Sequence, residues 1–203
     1  PDLLVRKGEE CFAVEFQCSV ISMEEIEKRN EGYIKIGIPA IWLLSTPKNL
    51  PVSSNSGISY LKLSPFMQSF MTRDALSGHA LVTYDPMTEQ FVYFTHLVHI
   101  GGRSFVSKVR SLPLDDQIYP FAQVRSLTTE EGERYWRIFQ EKRKRYLKNR
   151  LRSSKYGARD RFLRNCYQFG IRPENLPLFI GFPIQGSESI QDHLTEWQLA
   201  LVS

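Results

Sequence analysis

From Cys11 to Gln17 the chain alternates. Phe12, Val14 and Phe16 fall on one side, Ala13, Glu15 and Gln17 on the other, as the period-two geometry of a β-strand dictates. Leu3 to Val5 is also strand-like, and the intervening Arg6-Lys7-Gly8-Glu9-Glu10 predicts a turn, so the two segments read as a hairpin. Ser22-Met23-Glu24-Glu25 has the Ser-to-Glu spacing of a capping box and predicts a helix to about Ile36, with Gly37 as its stop. Ile26, Arg29, Tyr33 and Ile36 share one stripe of that helix. Ile38 to Leu44 follows as a continuous apolar run, the pattern of a sheet strand covered on both faces.

The middle of the chain is β-rich. Gly57 to Leu63, His79 to Asp85 and Gln90 to His96 predict strands, the last two joined by a turn at Pro86-Met87-Thr88-Glu89. His96 and His99 stand three apart, and on a strand that spacing sends them to opposite faces, so they read as ordinary histidines and not as metal ligands. Gly101-Gly102-Arg103-Ser104 reads as a turn whose amides are available to a phosphate. Polar connections are predicted at 45–57 and 112–120. From Thr128 the sequence has acids in its first turn and bases towards its end, which suits the helix dipole, so a long helix is predicted there. Tyr135, Ile138, Phe139, Tyr146 and Leu147 lie near one stripe of it. A second helix is expected over Ala158 to Phe169, and the tail with Pro173, Pro177 and Pro183 reads as a packed irregular segment.

Composition adds bounds. The 203 residues are 42% hydrophobic and 24% charged, enough for one or two compact domains with a real core. No apolar run approaches the roughly 18 residues of a membrane span, so a soluble protein is expected. Three cysteines, Cys11, Cys18 and Cys166, without a CxxC pair argue against a disulfide framework and for a reducing, cytoplasmic setting. The first residues, Pro1-Asp2-Leu3, lack a methionine and are already strand-like, which reads as a protein entered partway through its core. The net charge of +4 hides a partition: Arg134 to Arg164 holds 13 Lys and Arg against Glu141 and Asp160, so 13 − 2 = +11 there and 4 − 11 = −7 elsewhere. Such a segment is an electrostatic footprint for a polyanion.

The acidic part holds the candidate chemistry. A hard divalent cation such as Mg²⁺ or Mn²⁺ takes carboxylate and carbonyl oxygens. Asp2 and Glu15, on adjacent strands of the predicted hairpin, supply two carboxylates, and the Phe16 carbonyl lies beside Glu15 as a third oxygen. Gln17 points to the same face as Glu15, where its amide is suited to orienting a water or a phosphate oxygen, without the positive charge of a lysine. Spacing alone fits solvated charges on an exposed strand face just as well. Arg29 reads either as a phosphate clamp over the site or as an arginine snorkelling from the helix edge. Ser19 either meets a phosphate or opens the loop before the helix.

Pro1-Asp2 followed by Glu15-Phe16-Gln17, then a helix and an apolar strand, resembles the PD-(D/E)XK nuclease core with Gln in the last position. The longer string Ala13-Val14-Glu15-Phe16-Gln17-Cys18-Ser19, with Arg29, Tyr33 and Gly37-Ile38-Pro39-Ala40-Ile41-Trp42 after it, resembles the CoiA family of bacterial competence proteins. That resemblance implies DNA processing and recombination in natural transformation, with Asp2 and Glu15 as metal ligands and Gln17 in the place of the usual lysine. It also implies a helix and first strand preceding Pro1.

The expected fold class is therefore α/β: a PD-(D/E)XK nuclease-like core, a mixed sheet with helices (1–45), with a β-rich extension (57–110) inside a domain of 1–120. A basic helical C-terminal domain spans 121–203. Asp2, Glu15 and Gln17 are the expected catalytic residues, and Asp2, Glu15 and Phe16 the ligands of Mg²⁺ or Mn²⁺. DNA, including single strands, is expected to meet Ser19 and Arg29 at the site and Lys142, Arg143, Lys144, Arg145, Lys148, Arg150 and Arg152 on the basic helix, whose aromatics are placed for base stacking. Recombinase machinery is an expected partner. The alternatives are a non-catalytic DNA-binding recombination accessory on a degenerate nuclease fold, and an interaction module for an acidic protein.

Overall fold

The hairpin forms as the alternation predicts. In the computed structural model, which describes all residues except Asn49, 51–56, 75–77, 118–124, 185–189, Gln191 and Ser203, β1 (Leu3–Lys7) pairs antiparallel with β2 (Glu10–Gln17), Leu3 opposite Val14. Gly8 turns the chain between them at φ 62°, a conformation that costs glycine nothing. Helix α1 (Met23–Lys35) is capped by Ser22, whose hydroxyl accepts from the Glu25 N–H at 3.2 Å, and Gly37 follows its end at φ 69°. β3 (Ala40–Ser45) then runs parallel to β2, Ala13 beside Ala40 and Glu15 beside Trp42. The result is a β-α-β unit with α1 crossing one face.

The sheet is mixed and continuous. β4 (Gly57–Lys62), β6 (Gly78–Asp85), β7 (Gln90–Gly101) and β8 (Ser104–Pro113) extend it in the order β1-β2-β3-β6-β7-β8-β4, and the short β5 (Thr72–Asp74) pairs with β6. β3 and β6 are parallel, while β6, β7, β8 and β4 are mutually antiparallel. The Gly101-Gly102 turn joins β7 to β8, and β8 extends through Leu112 and Pro113, where a connection was expected; Leu114–Asp116 then form a single 3-10 turn, while 118–120 and most of 45–57 lie outside the described residues. Within β7, a register shift between Thr95 and Val98, with His96 at φ 53°, reverses the side-chain alternation.

Following the paired residues across the strands assigns two faces. One carries Glu15, Trp42, Leu44, Thr83, Val92, Phe94 and Val109. Beneath it lies a core of Leu44, Leu61, Leu63, Leu81, Val92 and Phe94 with Met67 of α2 (Pro65–Gln68). The other carries Phe12, Val14, Leu43, Phe91 and Tyr93, and beyond the bulge Val98 and Val106. Helix α3 (Thr129–Ser153) packs Tyr135 and Phe139 on this second face, against Ile58, Val98, Ile100 and Val106. A third core joins Leu147 of α3 to Phe162 and Cys166 of α4 (Arg161–Gln168), to Ile180, and to Leu199 of α5 (Leu194–Val202). Helix α5 was not expected from sequence. The domain boundary expected at 120/121 falls outside the described residues.

The C-terminal helices meet the sheet at the β7–β8 turn. There the His99 ring stacks on Phe105 at 4.8 Å and meets His193, which precedes α5, edge-on at 5.0 Å. Burial, with the nearby His99 and Arg150, pushes His193 down to about 4. A base depressed in the folded state holds fewer protons there than in the unfolded chain, so stability is present above the unfolded value near 6.5 and is lost as pH falls towards 4. Thermal unfolding should show a falling Tm across that window, and His193→Phe should flatten the slope; an unchanged slope would remove His193 as its source.

Candidate active site

Glu15 lies near the end of β2, on the face covered by α1, and is only 4% exposed. A carboxylate removed from water needs partners. α1 supplies both. Arg29 Nη1 donates to Glu15 Oε2 at 3.1 Å, and the Tyr33 hydroxyl donates to Oε1. Arg29 and Tyr33 are four apart, so they stand one above the other on the same side of the helix. Burial first, then the hydrogen bond to Glu15, pushes Tyr33 up to about 12.

Arg29 has further contacts. Its Nε donates to Glu25 Oε1 at 3.1 Å, and its guanidinium lies 6.0 Å from the Trp42 ring centre. Trp42, beside Glu15 in the sheet, donates from Nε1 to Asn30 Oδ1 at 2.8 Å and contacts Phe70 at 5.9 Å. Arg29 and Trp42 thus flank the carboxylate on one side, with Phe70 backing Trp42. Arg29 nevertheless keeps 42% of its side chain exposed and reaches solvent.

Asp2 sits one step beyond the β1–β2 ladder, across from Glu15, so the two carboxylates share a face. The Asp2 charge also raises Tyr33. Asp2 Oδ2 accepts from the Phe16 N–H at 2.7 Å. That bond fixes the third oxygen: in β2 the Ala13 N–H points to β3, donating to Pro39 O at 2.9 Å, so by alternation the main-chain groups of Phe16, carbonyl included, point to the β1 side where Asp2 lies. Gln17 shares the Glu15 face, and its amide turns into the following loop, donating to the Ser19 carbonyl at 2.5 Å with the Ser19 hydroxyl at 3.5 Å. Asp2, Glu15, Phe16, Gln17, Ser19 and Arg29 are thus brought to one end of β2. Tyr33, Asn30 and Trp42 complete the surroundings, and sequence reasoning assigned them no role. Tyr33 was readable in principle, since it follows Arg29 by one helical turn.

The basic helix divides in two. Lys144, Arg145, Lys148 and Arg152 are exposed, as are Arg134 and Arg137, which the sequence-based set omitted; by helical spacing these six form one stripe, with Glu141 within it. Lys142 is half-buried, 2.8 Å from Glu141 and 5.5 Å over the Tyr60 ring. Two expected DNA contacts are corrected. Arg143 is 5% exposed and donates to the carbonyls of Ile180 and, at 3.0 Å, Pro177, pinning the tail. Arg150 is committed to Asp160 at 2.7 Å and Glu196 at 2.9 Å. Of the helix aromatics, Tyr135 and Phe139 are core and Tyr146 packs so closely on Gly101 that a Cβ there would collide with its ring, so these three do not stack on bases, whereas Trp136 keeps 37% of its surface exposed. Position matters as well: α3 lies on the face opposite Glu15 and towards the other side of the sheet, so it does not overhang the carboxylates. Among the described residues no group of three His, Cys, Asp or Glu side chains is placed for a metal ion, and no helix is long and apolar enough to cross a membrane.

The family model for the competence protein CoiA, nuclease-like domain, matches residues 1–124. The chain belongs to the CoiA nuclease-like family. Its mixed sheet with helices is accordingly a PD-(D/E)XK-like core. Competence protein CoiA of Bacillus subtilis (strain 168) is 28% identical over 114 residues, covering 56% of this chain and 29% of that protein. The match thus spans less than a third of its curated relative. No solved structure matches the chain significantly. In this CoiA nuclease-like domain, Tyr33 is expected to titrate near 12 by NMR of its ring carbons, and Glu15→Gln should lower it in part, because the charged acceptor is lost while the burial that contributes most remains. A Tyr33 unmoved by Glu15→Gln would show that the carboxylate does not hold it.

Proposed function

We propose that this chain is a metal-dependent, nuclease-like DNA-processing protein acting in competence, with hydrolysis of a DNA phosphodiester at the end of β2. The observation that carries the reading is the buried Glu15, facing Asp2 where a strand of a β-α-β unit ends. Sites in sheets with parallel strands gather at such carboxyl ends. The donor chemistry fits Mg²⁺ or Mn²⁺: two carboxylates and the Phe16 carbonyl are hard oxygens, and a carboxylate that accepts two hydrogen bonds retains lone pairs for a cation. Asp2, Glu15 and Phe16 would hold the ion, and the chemistry such an ion supplies is polarisation of the phosphate and activation of a water.

The remaining residues bind and orient. Gln17, released from Ser19, would present its amide to the nucleophilic water or a phosphate oxygen, and Ser19 would add a hydroxyl. Arg29, exposed and cationic, would meet a phosphate oxygen. The outer stripe of α3, with Lys144, Arg145, Lys148 and Arg152, would capture the DNA backbone, single or double stranded, away from the cleavage point. Recombinase machinery is the proposed partner and the cytoplasm the proposed location. A non-catalytic accessory is the second reading, favoured by the engagement of both Glu15 oxygens by Arg29 and Tyr33.

Cleavage of single- and double-stranded DNA by the full-length protein should require Mg²⁺ or Mn²⁺ and should fall by about a hundredfold or more in Glu15→Ala. Gln17→Ala should slow cleavage without abolishing binding. Replacing Lys144, Arg145 and Lys148 by Ala should lower the log–log salt dependence of duplex binding by about 0.9 for each phosphate no longer neutralised. Salt-sensitive binding with no cleavage selects the accessory. Absence of both leaves an interaction module for an acidic partner.

A further inference from the structure

Glu15 is too buried to stand without a positive partner. Arg29 is the nearest one and the side-chain one, at 3.1 Å, with the Pro1 nitrogen farther off at 3.7 Å, while the Arg29 Nε holds the half-exposed Glu25 at 3.1 Å. The guanidinium thus bridges a carboxylate inside the protein and one at its surface. A divalent ion bound by Glu15 and Asp2 would meet the guanidinium at close range on the Glu15 carboxylate, where screening by water is weak. The two cations therefore compete for one carboxylate. A phosphodiester arriving at the site offers Arg29 a better-exposed anion, and Glu25 keeps the side chain anchored when its tip leaves Glu15.

We propose that Arg29 couples metal binding to nucleic-acid binding: in the free protein it occupies Glu15, and a phosphodiester that draws it away opens the carboxylate to a divalent cation. This rests on the metal-dependent reading above and concerns its regulation. Coupling is reciprocal, so DNA raises metal affinity by the same factor as metal raises DNA affinity. Free metal and water then meet at the site chiefly when a strand is in place. Tyr33, a neutral donor, stays on Glu15 in both states and keeps the carboxylate oriented.

The test is Mn²⁺ affinity of the full-length protein, read by electron paramagnetic resonance of the free ion, with and without a phosphorothioate oligonucleotide that resists cleavage. Wild type should bind Mn²⁺ about tenfold more tightly with the oligonucleotide, within the range usual for coupled sites. Arg29→Met should bind Mn²⁺ about tenfold more tightly than wild type without DNA, and the oligonucleotide should then change its affinity by less than about twofold. Arg29→Lys, which keeps the charge, should stay weak without DNA. Far-UV circular dichroism confirms that each variant is folded. Unchanged or weakened Mn²⁺ binding in Arg29→Met, or an oligonucleotide effect that persists there, overturns the coupling. Glu15→Gln separates the two levels: if it binds Mn²⁺ like wild type, the metal site itself is wrong, whereas its loss of Mn²⁺ binding beside an unaffected Arg29→Met removes the coupling alone.

Discussion

A carboxylate at 4% exposure in a sheet face imposes conditions on everything around it. Leaving Glu15 charged and unpartnered there would cost several kcal/mol, so a donor-bearing element must cover it. α1 meets that condition with two residues one turn apart, and its position over β2 and β3 follows. The β-α-β connection places the helix on that face, Trp42 in the neighbouring strand gives the guanidinium a flat surface, and Asn30 holds Trp42. The charged pair therefore sets both the helix docking and the shape of the site. The same arrangement leaves Arg29 at the solvent boundary, where it serves the fold and remains open to an incoming anion.

The basic segment answers to a different constraint. α3 is long enough to show one face to the sheet and another to water, and the buried face takes Tyr135, Phe139, Arg143 and Leu147. Arg143 enters the interior because the tail turns carbonyls of Pro177 and Ile180 inward, and a guanidinium with five donors satisfies them. Arg150 enters because Asp160, the N-cap of α4, needs a counter-charge at 3% exposure. Burial alone would raise Asp160, but hydrogen bonds from Arg150 and Ser154 outweigh it and hold the carboxyl below its usual range. Part of the +11 segment is thus structural, and six of its cations, Arg134, Arg137, Lys144, Arg145, Lys148 and Arg152, form an outward stripe of α3 on the sheet face away from Glu15.

Local pattern carried much of the fold. The alternation in Cys11 to Gln17, the Ser22 cap, the stop at Gly37 and the Pro86–Glu89 turn all express short-range rules of strand, cap and turn, and each element stands within a few residues of where those rules put it. The juxtaposition of Asp2 and Glu15 was legible for the same reason, since hairpin register follows from the turn. Ile36 is the counterexample on α1: it lies on the predicted apolar stripe but is 65% exposed, because the helix ends at Lys35 and Ile36 is its C-cap, where the chain turns away from helical spacing. The bulge at His96 and the helix α5 left no comparable local signal.

By itself the sequence determined which residues can form a strand, cap a helix or carry charge, because those properties belong to neighbours along the chain. It determined the E-x-Q strand, the amphipathic α1 and the separation of acidic and basic segments. Only the tertiary structure decided that Arg29 and Tyr33 reach Glu15, that Arg143 and Arg150 turn inward, and that the basic helix lies across the sheet from the carboxylates. Those outcomes depend on which groups, distant in sequence, need a partner once water is excluded, and burial is a property of the assembled fold.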